Sequence, residues 1–119
     1  MGLVTTISTH YYAENNTRYV FLDGSSCKRL DACFNSLQQQ LSIPAYFGNN
    51  LDALEEVIND LDWIKEDQVK IIIYHAVDLL EQEPDKKIAF LEILHTAGPK
   101  KMEIIYLGDS SAHQYLTDL

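Results

Sequence analysis

Apolar residues recur along this chain in two patterns, one typical of strands and one typical of helices. Short runs rich in β-branched and aromatic residues predict strands at residues 3–12, 18–22, 69–74 and 102–107. Apolar residues at helical spacing predict helices at about 27–41, from 51 to about 62, and from Pro84 to the Gly98-Pro99 stop. The last two strands are almost continuously apolar, which is typical of strands covered on both faces.

The order of these elements predicts the fold class. Strands that alternate with helices imply right-handed crossovers and a small parallel sheet, so we expect an α/β fold with three parallel strands and packed helices. The first two strands can also form a hairpin, which makes residues 1–16 an extension whose added edge strand protects the sheet. At 119 residues, the chain has the size of a single domain, residues 1–119. The tail, residues 108–119, carries apolar residues at helical spacing and is expected to lie over the core.

The helix that begins at residue 51 has one apolar side and one acidic side. Its apolar stripe is formed by Leu51, Leu54, Val57, Ile58 and Leu61, and Asn49 or Asn50 is expected to cap its first turn. The opposite side carries acidic residues without a Lys or Arg before Lys65, namely Asp52, Glu55, Glu56, Asp60 and Asp62.

Part of this acidic surface has a purely structural explanation. The helix dipole favours carboxylates in the first turn, by about 0.3–1 kcal/mol each, and that accounts for Asp52 and Glu55. It does not account for Glu56 and Asp60, because Asp52/Glu56 and Glu56/Asp60 are like-charge pairs one turn apart. Each such pair costs roughly 0.2–0.5 kcal/mol. The pattern therefore indicates either a solvated surface or a surface that binds something positive.

Overall charge narrows the class of partner. The formal net charge is −9, so bare nucleic acid and anionic membranes are poor partners, whereas a basic protein is attracted. A negative charge that serves only solubility is the alternative. No membrane span or signal peptide is apparent, and two cysteines without zinc-ligand spacing suit reduced thiols in the cytoplasm, Cys33 being expected in the core.

Catalytic and metal-binding patterns are weak. The four histidines are scattered and no nucleophile elbow or phosphate loop is present, so we expect no metal, no cofactor and no enzyme activity. The best enzymatic alternative is a small hydrolase using Asp52 and Glu56 as an acid–base pair. Two exposed carboxylates would both stay ionised at neutral pH, which makes them a poor acid–base couple.

The run Tyr46-Phe47-Gly48-Asn49-Asn50-Leu51-Asp52-Ala53-Leu54 resembles the signature of the barstar family, the small intracellular inhibitors of barnase-type ribonucleases. In that family an aromatic pair, Gly, a polar residue and Asn-Leu-Asp-Ala-Leu lead into the inhibitory helix. The remaining likeness is in the order of elements, over about residues 17–107. The resemblance implies a three-stranded parallel sheet with packed helices, and a helix whose carboxylates replace RNA phosphates in a cationic active site.

The resemblance also implies roles for single residues. The family's principal inhibitory aspartate falls at Glu56, its other helix aspartate at Asp52 and its loop aromatic at Tyr46, while Glu55 replaces the family's tryptophan. The expected partner-binding residues are Tyr46, Gly48, Asn50, Asp52, Glu55, Glu56, Asn59 and Asp60.

Two further residues receive no family role. Trp63 at a helix end is more often a cover for the core than a binding residue, and Glu92 has no secure counterpart. The function expected is that of a bacterial cytoplasmic immunity protein, an antitoxin-type inhibitor of a secreted or delivered basic ribonuclease. An acidic docking module for a basic partner that is not a nuclease remains the alternative, and the oligomeric state is open.

Overall fold

The computed structural model describes residues 5–7, 11–44, 48, 50–95 and 101–107. The strands in these residues are β1 Thr5–Ile7, β2 Tyr12–Glu14, β3 Thr17–Asp23, β4 Gln68–Tyr74 and β5 Lys101–Leu107. The helices are α1 Leu30–Gln40, α2 Leu51–Asp60 and α3 Pro84–His95. Two 3₁₀ turns, Gly24–Ser26 and Ala76–Asp78, follow β3 and β4.

The described strands form one sheet in the order β1-β2-β3-β4-β5. β3, β4 and β5 are parallel, and β2 and then β1 are added to this unit as antiparallel strands. The α/β class and the parallel three-stranded unit are therefore confirmed, together with an N-terminal addition at the edge of the sheet.

The predicted strand over residues 3–12 is wrong in its extent. The described residues form two short strands instead of one, and β2 extends two residues beyond the predicted end, to Glu14. The turn between β2 and β3 consists of Asn15 and Asn16, whose φ angles are 53° and 62°. Two consecutive positive φ angles belong to the tight hairpin turns that match the twist of paired strands, and asparagine adopts them readily.

The parallel strands bury one face against the helices. On this inner face, Val20, Leu22, Ile71, Ile73 and Tyr106 belong to one hydrophobic cluster. The same cluster contains the buried residues of α1, α2 and α3. The described helices therefore supply one layer of the fold, and the sheet supplies the other.

The connection after β3 explains why α1 begins later than predicted. Residues 24–26 turn as a 3₁₀ helix that Asp23 caps, since its Oδ1 accepts a hydrogen bond from the Ser25 amide at 3.0 Å. Gly24 is packed so closely that a Cβ there would lie 2.0 Å from the carbonyl oxygen of His75, which follows β4. This approach joins the ends of β3 and β4, and α1 starts only at Leu30.

A buried ion pair lies at the other end of β3. Arg18 and Glu66 have side chains that are each only 4% exposed, with Arg18 Nη2 2.8 Å from Glu66 Oε1. Arg18 Nη1 also donates to the Gln40 carbonyl at 3.0 Å, and the guanidinium carbon lies 3.7 Å from the centre of the Tyr11 ring. The side chain thus connects β3, the end of α1 and the segment before β4.

Candidate functional site

The start of α2 is fixed by a side-chain cap. Asn50 has extended backbone angles, and its Oδ1 accepts a hydrogen bond from the Ala53 amide at 2.8 Å. An N-cap of this kind satisfies an amide that has no partner within the helix. The cap predicted from the sequence, at Asn49 or Asn50, is at Asn50, and it sets the register of the acidic residues that follow.

The apolar side of α2 is anchored in the core. Leu54, Val57 and Ile58 are buried and belong to the main hydrophobic cluster. The helix ends at Asp60, and the C-cap residue Leu61 has a left-handed φ of 50° and a fully buried side chain. A left-handed leucine is unfavourable by itself, so burial of its side chain is what holds the end of α2 in place.

Trp63 also closes the core at this end of α2. Its side chain is half-buried and packs against the hydrophobic cluster, and its indole Nε1 donates to the Leu41 carbonyl at 2.9 Å. This arrangement fits the role of a cover for the core that the sequence favours for this residue.

The other side of α2 faces solvent. Five of the predicted partner-binding residues share this exposed surface, which we call the acidic face: Asp52, Glu55, Glu56, Asn59 and Asp60. Within the described part of the chain, no Lys, Arg or His forms an ion pair with any of its carboxylates. As far as the described residues show, the acidic face is therefore a row of exposed carboxylates without a basic partner.

Part of the predicted loop site lies outside the described residues. Tyr46 belongs to that part, and so do Phe47 and Asn49. Gly48 is described and exposed, and a Cβ built on it would lie 3.2 Å from the Asn50 side-chain nitrogen. The structure thus brings Gly48 and Asn50 to the amino end of the acidic face, while the role of Tyr46 stays a prediction.

A groove between α2 and α3 borders the acidic face. It has a volume of about 360 Å³ and is lined by Leu51, Asp52, Glu55, Ala89, Glu92 and Ile93. Glu92 adds a carboxylate from α3 to the two that α2 contributes. No local sequence pattern identifies Glu92 as a site residue, because only the packing of α3 against α2 brings it to the groove.

The comparisons with known proteins fit this geometry. A family model described as Barstar (barnase inhibitor) matches residues 17–104. The chain belongs to the barstar family. No curated protein matches the chain. In structural terms the matched range starts at β3, contains the three described helices, and ends within β5. The hairpin strands β1 and β2 precede the barstar match.

The cysteines of this barstar-family chain lie in its core. Both cysteines are buried, and a hydrogen bond with Cys27, together with burial, raises the pKa of the Cys33 thiol above its ordinary value. Burial and the raised pKa make the Cys33 thiol unreactive. Among the residues that the structure describes, no group of three His, Cys, Asp or Glu side chains is arranged to hold a metal ion. None of the described helices combines the length and apolarity needed to span a bilayer.

Proposed function

We propose that this protein inhibits a barnase-type ribonuclease by inserting the acidic face of α2 into the enzyme's cationic active site. A ribonuclease holds RNA phosphates with Arg, Lys and His, so its empty cleft is positive. Carboxylates on a rigid helix take the phosphate positions through charge-assisted hydrogen bonds, some of them bidentate with Arg. The inhibitor is not cleaved, because a helix of carboxylates offers no phosphodiester bond.

The proposal rests on the exposure and the charge of the acidic face. Its side chains are exposed, and within the described residues no basic side chain neutralises them. The carboxylates are carried on a helix that is capped at one end and buried along its other side, so little backbone freedom remains to be lost on binding. Membership of an inhibitor family supplies the class of partner.

The net charge of the chain contributes to the rate of association with the enzyme as well as to the affinity of the complex. A net charge of −9 attracts a basic enzyme and accelerates association, while charge pairs buried at the centre of the interface slow dissociation. Such kinetics suit an immunity protein in the bacterial cytoplasm, which must capture a secreted or delivered ribonuclease before it reaches cellular RNA.

The experiment is a competition between RNA and the inhibitor. We expect the full chain to block RNA cleavage by at least one member of a panel of barnase-type ribonucleases, and Glu56→Ala to weaken binding most. Removing one partner of a buried charge pair at an interface costs about 2–5 kcal/mol. That corresponds to roughly 30- to 5,000-fold weaker binding. Asp52→Ala and Tyr46→Ala are expected to have smaller effects.

The matched control is Asp31→Ala, which removes the same charge from an exposed side chain on α1. Equal loss of affinity in Glu56→Ala and Asp31→Ala would mean that only net charge matters, and would contradict the role given to Glu56. Absence of inhibition across the panel, together with tight binding to a basic protein that is not a nuclease, would favour the docking-module alternative. RNA or ester hydrolysis that Asp52→Asn abolishes would favour the hydrolase.

A further inference from the structure

The face of the sheet that points away from the helices is unusually apolar. We call it the outer sheet face, and its apolar and aromatic side chains are Tyr12, Tyr19, Phe21, Ile72, Tyr74, Ile105 and Leu107. None of them belongs to the buried cluster that α1, α2 and α3 share with the inner face. Phe21 is 41% exposed and Leu107 is 47% exposed, and the other five are half-buried.

Strand register makes this surface continuous. Phe21 pairs with Ile72, and Ile72 pairs with Ile105, so one apolar row crosses the three parallel strands. The Tyr12 and Tyr19 rings, 5.2 Å apart, extend the surface over the hairpin. Parallel sheets are normally covered on both faces, and a contiguous exposed apolar patch marks a place where something binds.

Charges at the two ends of the outer sheet face indicate what covers it. At the amino ends of the strands, Lys70 lies beside Glu103, 3.7 Å away. At the carboxyl ends, Asp23 pairs in register with Tyr74, and its carboxylate also lies 2.8 Å from His75 Nδ1 of the same chain. The face therefore carries a cation at one end and an anion at each end, whereas α2 carries anions alone. A surface with this distribution can pair unlike charges with an inverted copy of itself.

We propose that a second copy of this chain packs on the outer sheet face, with its strands running antiparallel to those of the first. A two-fold axis along the Phe21–Ile72–Ile105 row sets Ile72 against Ile72 of the second copy. The same operation sets Lys70 above Tyr74 of the second copy and beside its Asp23, where cation–π and charge contacts form twice by symmetry. Two such faces pack about 10 Å apart.

This dimer is compatible with inhibition and independent of it. The outer sheet face and the acidic face belong to opposite layers of the fold, so both copies of α2 remain exposed in the dimer. One dimer would hold two basic partners. If the ribonuclease proposal fails, the dimer is unaffected, because none of its contacts uses α2.

The test uses the two-fold axis. Ile72→Cys in the full chain places a thiol where the second copy presents the same thiol, so a bifunctional maleimide whose spacer spans about 10 Å is expected to link two chains. The native thiols do not compete, since Cys27 and Cys33 are buried. The control is Ile88→Cys on α3, because Ile88 is 71% exposed and lies in the helical layer. We expect cross-linking at position 72 to be at least several-fold faster than at position 88.

A second measurement avoids the engineered thiol. Sedimentation analysis is expected to give twice the 13.6 kDa chain mass, with Phe21→Asp reducing it to one chain and Ile88→Asp leaving it unchanged. A full chain that is monomeric at all concentrations would overturn the proposal. In that case, a thiol at position 72 that is shielded from reagents would mean that another part of this chain covers the face. A reactive one would mean that nothing does.

Discussion

Removing Glu66 should destabilise the fold far more than its place in a polar connection suggests. Glu66 lies between Lys65 and Asp67, yet its side chain is buried against Arg18, with Arg18 Nε donating to Oε1 at 3.0 Å and Nη2 lying 2.8 Å away. Glu66→Ala leaves the guanidinium buried with the Gln40 carbonyl and the Ser42 hydroxyl as its hydrogen-bond acceptors. An uncompensated buried charge of this kind costs about 3–5 kcal/mol.

That loss is large for a domain of this size. Small domains are stable by roughly 5–15 kcal/mol, so the loss removes a large part of the free energy of unfolding and should lower the urea midpoint strongly. Urea unfolding followed by the fluorescence of Trp63, the single tryptophan, measures the change. The double variant Arg18→Met with Glu66→Leu should be more stable than Glu66→Ala, because replacing both partners leaves no unpaired charge.

The control is an exposed pair of the same chemistry. Glu81 and Lys28 lie 3.5 Å apart with side chains that are 55% and 42% exposed, so Glu81→Ala should cost at most about 1 kcal/mol. If Glu66→Ala and Glu81→Ala lower the free energy of unfolding equally, the reasoning from burial is wrong. A double variant less stable than Glu66→Ala would equally contradict it, since packing around Arg18 would then dominate.

Two further predictions concern the ends of β3 and the loop before α2. Gly24→Ala should prevent folding or lower the free energy of unfolding by several kcal/mol, because its Cβ would lie 2.0 Å from the His75 carbonyl oxygen. In the control Gly48→Ala, the new Cβ meets only a movable side chain at 3.2 Å, so the urea midpoint should change little. The hydroxyl of Ser25, and then His75, lower the pKa of Asp23 from 3.8. The ionised Asp23 carboxylate therefore stabilises the fold fully above pH 3.8, and this stabilisation is lost as the pH falls through the lower pKa of the folded state. Asp23→Asn should remove that part of the acid unfolding transition. An unchanged transition would contradict the prediction.

Sequence reasoning succeeded where the signals are local. The start of α2, its cap at Asn50 and its acidic face all follow from residues within one or two turns of each other, although the helix ends at Asp60 and leaves out Asp62. α3 begins at Pro84, as expected from a proline that lacks the amide a first helical residue does not need. The strands β4 and β5 are apolar enough to identify without knowing their neighbours.

Sequence reasoning fails where residues that are distant in the sequence meet in the fold. Arg18 and Glu66 are 48 positions apart, and each has the local context of a solvated charge. The length of the first strand was overestimated because a run of β-branched and aromatic residues does not report where hairpin pairing ends. Glu92 reaches the α2–α3 groove only through helix packing. In each case the missing information is tertiary, so residue type and spacing could not supply it.

The energetics of α2 explain how a small fold can carry an acidic row that no described basic side chain neutralises. The like-charge pairs Asp52/Glu56 and Glu56/Asp60 cost roughly 0.2–0.5 kcal/mol each, about 1 kcal/mol at most together. Leu54, Val57 and Ile58 are buried on the opposite side, and burial of such side chains contributes about 1.5–3 kcal/mol each. Burial exceeds repulsion several-fold, so the helix stays folded with its carboxylates held close together. A cationic partner that binds them relieves the repulsion, and the relief adds to the affinity of the complex.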